Sequence, residues 1–167
     1  MYSSIAGFIE DWNQEAALTQ SLVDALQNSS LQQRVSSDDR TLGRIAWHIV
    51  TSTPGMLIDF GIKVPTVENA KNVPESAKEI AGAFRRVSTD VAHAVKEQWT
   101  DSSLTEEVNV FGRTMTKAGT LSLIVKHIIH HRGQMTVLMR QAGVRVPGLY
   151  GPAREEWTQM GMNAPTI

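Results

Sequence analysis

The chain has 167 residues, 41% of them hydrophobic and 20% charged, a composition that supports one folded domain over residues 1–167 and argues against intrinsic disorder. Sixteen Lys and Arg against seventeen Asp and Glu leave a formal net charge of −1, which offers no footprint for a nucleic-acid backbone. Cysteine is absent, so disulfides, thiolate metal sites and a cysteine nucleophile are excluded, and five histidines remain as ligand candidates.

The opening residues MYSSIAGFIEDWNQEAAL carry no basic region ahead of an apolar stretch and are interrupted by Glu10 and Asp11, so no secretory leader is read there. No unbroken run of apolar residues exceeds three, far short of the ~20 needed to cross a bilayer. The expectation is a soluble, cytoplasmic protein with no membrane or nucleic-acid partner.

Apolar spacing then predicts four long helices. In the first, Ile5, Phe8, Ile9, Trp12, Ala16, Val23 and Leu26 form a stripe at steps of three and four that fades into the polar run from Asn28 to Gln33. The second opens at Ser36, Ser37, Asp38 and Asp39, whose short polar side chains suit a cap, and carries its apolar face on Leu42, Ile45, Ile49 and Met56. Pro54 and Gly55 predict a kink or local break, and Gly61 a stop after Phe60.

A loop with Pro65 and Pro74 leads to the third helix, where Ala77, Ile80, Phe84, Val87, Val91 and Ala94 alternate threes and fours up to Trp99. Between Asp101 and Met115 the pattern changes to short alternating pieces around Val108, Val110, Phe111, Gly112 and Thr114, which read as a small hairpin or an extended crossing loop. The fourth helix places Leu121, Ile124, Ile128, His131, Met135, Leu138 and Ala142 on one strip and ends at Gly143. A turn-rich strap, VRVPGLYGP, and a short helix from Pro152 to Met160 containing Trp157 complete the chain.

Four one-sided helices of about 23 to 28 residues, each ~35–40 Å long, bury their stripes most simply as an all-α four-helix bundle. The long segments before helix three and before helix four leave room for crossovers.

Chemistry concentrates on the histidines. His127 and His131 are four residues apart, so both imidazoles fall about one turn apart on nearly one face, a spacing suited to gripping a metal ion. His131 lies within the apolar strip, where a plain imidazole needs a partner for each ring nitrogen; a metal can serve one and an acceptor the other, and a buried histidine bonded to Ser, Thr or Asn is the alternative. His48, three residues after Ile45, is the candidate third ligand, and three neutral imidazoles would leave positions open for water or substrate. Imidazole suits zinc, nickel and iron alike. His93 falls on the polar face of helix three, and His130 reads as a neighbour of the site or as exposed.

Other chemistries find no motif. The chain has no H-E-x-x-H, no pair of Glu-x-x-His repeats for a di-iron bundle, no phosphate-binding glycine loop and no G-x-S-x-G elbow. The candidate site is mononuclear.

The run KHIIHHRGQMTVLMRQAGVRVPGLYGP, Lys126 to Pro152, closely resembles the fourth-helix signature of the DinB/YfiT-like superfamily, an H-x-x-x-H-R-G-Q core followed by a Gly-Val-x-Val-Pro strap. His127, His131, Arg132, Gly133 and Gln134 match it, and LGRIAWHIVTSTPGML resembles the family's second helix, with His48 in the place of its first ligand. The resemblance implies a four-helix bundle of unusual connectivity, frequently a homodimer, holding a divalent metal, often zinc or nickel, on His48, His127 and His131. It also implies a range of functions: thiol S-transferases that use bacillithiol or mycothiol, a maleylpyruvate isomerase, and proteins induced by DNA damage.

The leading expectation is a metalloenzyme resembling the thiol S-transferases and acting on a small electrophile. With no cysteine in the chain, the thiol would come from a low-molecular-weight co-substrate, held by the metal as thiolate. The alternatives are a metal-dependent hydrolase using a metal-activated water and a non-catalytic stress or DNA-damage-inducible binding protein. No carboxylate or tyrosine is assigned as general acid or base.

Overall fold

The computed structural model describes residues 1–166. Its long helices are α1 (Ile5–Asp24), α2 (Leu42–Asp59), α3 (Ala77–Gln98) and α4 (Lys117–Gln141), with a hairpin of β1 (Glu107–Val110) and β2 (Arg113–Thr116) between the last two. They run 20, 18, 22 and 25 residues, three of them shorter than the sequence reading suggests: α1 and α3 stop before Leu26 and Trp99, and α2 starts only at Leu42. None is long and apolar enough to cross a membrane.

Each helix starts where a Ser or Thr oxygen accepts an otherwise unpaired backbone N–H: Ser4 from Gly7, Thr41 from Arg44, Ser76 from Glu79 and Thr116 from Gly119. The start of α2 corrects the sequence reading. Ser36 to Asp39 serve one another instead, with Ser36 Oγ donating to Asp39 Oδ2 at 2.7 Å and the Asp39 N–H donating to the Ser36 carbonyl at 3.3 Å. Leu42 and Gly43 meanwhile donate their N–H groups to the carbonyls of Gln33 and Leu31, so the preceding linker fixes the first turn.

α2 also runs unbroken through Pro54, where a kink or break is predicted. The hydroxyls of Thr51, Ser52 and Thr53 donate back to the carbonyls of Trp47, His48 and Ile49, supplementing the backbone ladder on the turn before the proline. α2 and α4 share one ending: Gly61 and Gly143, at φ +87° and +72°, let the N–H groups of Ile62 and Val144 turn back onto the carbonyls of Leu57 and Met139, both at 2.9 Å.

α1 packs against α3 and α4, and α2 packs against the same two. The order round the bundle is therefore α1, α3, α2, α4, with α1 diagonal to α2 and α3 diagonal to α4. The crossing before the fourth helix is present. The other links α1 to α2, whereas α2 and α3 are neighbours and need none. Phe8, Trp12, Ile49, Phe84, Leu121 and Ile128 fill the centre. The Trp12 indole N–H donates to the Ser88 carbonyl at 2.9 Å, tying α1 to α3.

The predicted hairpin forms, with Val108 opposite Met115 and Val110 opposite Arg113. Its two turn residues, Phe111 and Gly112, both have positive φ, 53° and 74°, the backbone that a two-residue turn of right-twisted strands requires. Gly112 adopts it freely. Phe111 does so against a cost of about 1–2 kcal/mol, and its ring is 71% exposed, so core packing does not offset the strain.

The short C-terminal helix is reduced to one 3-10 turn, Thr158–Met160. The Glu156 carboxylate accepts the backbone N–H groups of Gly148 and Ala153, both at 2.9 Å, which folds the segment back onto the strap and holds this carboxyl below its ordinary pKa.

Gly61→Ala tests the helix ending without steric complication, since a Cβ there meets nothing within 4 Å. Backbone strain alone should lower stability by about 1 kcal/mol, read from the midpoint of urea unfolding.

Candidate metal centre

α2 carries His48 in its second turn and α4 carries His127 and His131 on the face turned to α2. Packing these two helices side by side brings the three imidazoles together, so that one ring nitrogen from each lies within 4.8 Å of the others. Ring centroids are 5.2 Å apart for His48 and His127, 4.7 Å for His48 and His131, and 4.5 Å for His127 and His131, all edge-on. Nitrogens at a common centre, with the rings fanned outward, are what a mononuclear imidazole site needs.

Protonation favours the same reading. Burial, and then the neighbouring His131, push the pKa of His48 down to about 4; burial, and then His131 and His48, do the same to His127. Burial also lowers His131, partly opposed by its bond to Gln134. All three are neutral at pH 7 and can offer lone pairs.

The hydrogen bonds of the rings fix which nitrogens face the common centre. The Nδ1–H of His131 donates to Gln134 Oε1 at 2.8 Å, which leaves the Nε2 of His131 as a lone pair facing the Nε2 of His127 at 3.2 Å. That lone pair accepts the Nε2–H of neutral His127, and a cation held between the two nitrogens would take the place of this proton. Nδ1 of His127 is buried without a hydrogen-bond partner. The donor set and its spacing therefore fit a divalent ion, with Gln134 fixing which nitrogen of His131 faces it.

Gln134 has no role in the sequence reading, although its position three residues after His131 places it on the same side of the helix. His130 is exposed, with its ring centroid 4.9 Å from that of His131, and His93 is exposed on α3, apart from the cluster. Two cavities abut the triad. One, of about 690 Å³, is lined by His48 and His127 together with Ser52, Met56 and the hairpin. The other, of about 470 Å³, is lined by His131, Gln134, Ile45 and the linker residues Asp38 to Arg40.

A family model for the DinB family matches residues 1–164. The chain belongs to the DinB family. This DinB family protein is 42% identical to YrdA of Bacillus subtilis over 167 residues, all of both chains. Its fold matches the crystal structure of a DinB-like protein from Bacillus cereus with a TM-score of 0.85 at 45% identity, covering 90% of this chain and all of that one. The DinB-like protein YjoA from Bacillus subtilis shares the fold at 20% identity, with a TM-score of 0.64 over 82% of this chain and 92% of that one.

Next to His131 on α4, Arg132 enters the core. It is 1% exposed and meets Glu15 of α1, itself 5% exposed. The guanidinium donates to the Glu15 carboxylate, to the Glu15 carbonyl at 3.0 Å and to Thr19 Oγ1 at 3.2 Å. Tyr150 of the strap adds its hydroxyl, which donates to the Glu15 carboxylate at 2.7 Å and accepts from Arg132. Burial, and then the bond to Glu15, push the Tyr150 pKa up to about 12, so the hydroxyl keeps its proton. The signal in the sequence was a charged pair on apolar strips: Arg132 is four residues after Ile128, and Glu15 three after Trp12.

Two outcomes follow from these groups. Arg132→Ala leaves Glu15 buried and unpaired and should cost about 3–5 kcal/mol in chemical denaturation. Metal-free protein should lose stability as pH falls from about 6.5 to about 4, because the unfolded chain binds protons there that folded His48 and His127 refuse. Urea unfolding across that interval checks it, and the slope should flatten when the three histidines are replaced by Ala.

Proposed function

We propose that this DinB family protein is a mononuclear metalloenzyme in which His48, His127 and His131 hold a divalent ion and the two cavities admit two reactants, a low-molecular-weight thiol and a small electrophile. The observation that carries the reading is the placement of those cavities. His131 belongs to one and His48 with His127 to the other, so separate ligands can reach a single centre from different sides. A hydrolase needs only one organic reactant beside water. Transfer makes use of both spaces.

When bound, the ion would supply Lewis-acid chemistry, lowering the pKa of a thiol and holding it as the nucleophile. The chain's own residues do the rest. Gln134 keeps the Nδ1 proton of His131 engaged, which leaves Nε2 free. Ile45 and Leu138 on one side, and Met56 and Leu123 on the other, give the two cavities apolar walls that limit water around the reacting groups. The chain contributes no sulfur nucleophile. Zinc and nickel both suit an all-imidazole set.

Replacing His48, His127 and His131 together by Ala should abolish metal binding measured by elemental analysis after dialysis against zinc or nickel. Retained stoichiometric metal would remove the site assignment. Gln134→Leu should weaken the wild-type affinity about 10- to 100-fold in a chelator competition, with the fold intact by circular dichroism. Metal-loaded protein should consume monochlorobimane only when a low-molecular-weight thiol is supplied. Thiol-independent turnover of an ester substrate would assign the protein to the hydrolases instead.

A further inference from the structure

The larger cavity has a lining that the metal centre does not require. Met56 from α2, Leu123 from α4, and Val110 and Met115 from the hairpin form apolar walls leading to His48 and His127. Its volume, about 690 Å³, lies within the ~300–1,000 Å³ of small-molecule sites. Asp59 and Arg113 bring one charge of each sign to the lining, so it offers no net charge for selecting an ion.

Phe111, in the hairpin turn, also lines this cavity. The hairpin turn demands positive φ at this position, where Gly, Asn or Asp would sit with less strain, yet the residue is a phenylalanine that lines the cavity and is 71% exposed. An exposed aromatic held in a strained backbone adds little core packing to the free protein. It gains its contacts when an apolar body enters beneath it.

From this lining we infer that the cavity binds the uncharged, aromatic-sized apolar portion of the substrate, that the ring of Phe111 covers it, and that the polar end of the ligand lies toward His48 and His127. This names the class of electrophile within the enzymatic reading above and rests on that reading for the chemistry. The binding itself needs no metal.

The test therefore uses the metal-free full chain and the neutral fluorophore N-phenyl-1-naphthylamine, titrated by fluorescence. Wild-type protein should bind it saturably. Phe111→Gly, which relieves the turn and keeps the fold, should weaken binding roughly tenfold. Phe111→Leu should restore most of it, and Val137→Ala, in the other cavity, should leave it unchanged. The inference is overturned if wild-type protein shows no saturable binding, if Phe111→Gly binds as wild type does, or if Val137→Ala weakens binding as much. Zinc binding by Phe111→Gly, measured separately by chelator competition, should match wild type. A chain that binds the fluorophore but no metal would retain the cavity and lose the enzymatic reading, so the two can fail independently.

Discussion

Adjacent residues on a helix are about 100° apart, and on α4 that angle separates His131, turned to α2, from Arg132, buried against α1. α1 and α2 stand on a diagonal with α4 packed against both. The ion pair between Arg132 and Glu15 therefore acts as a rotational lock. An apolar strip sets that rotation only through side-chain packing, since hydrophobic contact itself has no direction. A guanidinium that must meet a carboxylate, a carbonyl and a hydroxyl admits one orientation, and that orientation aims His127 and His131 at His48.

The same lock explains why the strap after α4 matters to a site it does not enter. Tyr150 is exposed over much of its surface, but its hydroxyl completes the coordination of the buried pair, and its ring lies 5.0 Å from the guanidinium carbon. Gly143 reverses the chain so that Val144 and Val146 reach the core, and Glu156 then fastens the strap from its far side. The H-R-G-Q run thus divides its work: His131 faces the site, Gln134 sets its tautomer, and Arg132 holds the helix that carries both.

Much of this was readable from residue spacing, because the helices obey a local rule. The strips of α1, α3 and α4 and the pairing of His127 with His131 depend only on helical periodicity. What spacing could not supply was any partner chosen across the chain. Glu15 and Arg132 lie 117 positions apart, and the serine and aspartate run before α2 has the composition of a cap, whereas the carbonyls of Leu31 and Gln33 fix the first turn at Leu42. His48 is a candidate ligand from its place three residues after Ile45 and from the family resemblance, but its meeting with the α4 pair depends on α2 packing beside α4. The cavities lie between α2 and α4, with the hairpin lining one and the linker before α2 the other, and had no local signal at all.

The missing cysteine and the neutral triad bear on each other. Three imidazoles bring no charge, so a divalent ion held by them would keep its full electrostatic effect for a ligand, whereas thiolate ligands would offset it. Asp38, Asp39 and Asp59 line the two cavities but are exposed, where water screens them. A nucleophilic sulfur carried by a diffusible molecule, as proposed above, would preserve that difference, because it need not stay at the centre. A cysteine fixed beside the triad would compete for the ion permanently. On the proposed reading, an all-histidine set and an external thiol would be two halves of one electrostatic arrangement, with Phe111 lining the cavity that would take the other reactant.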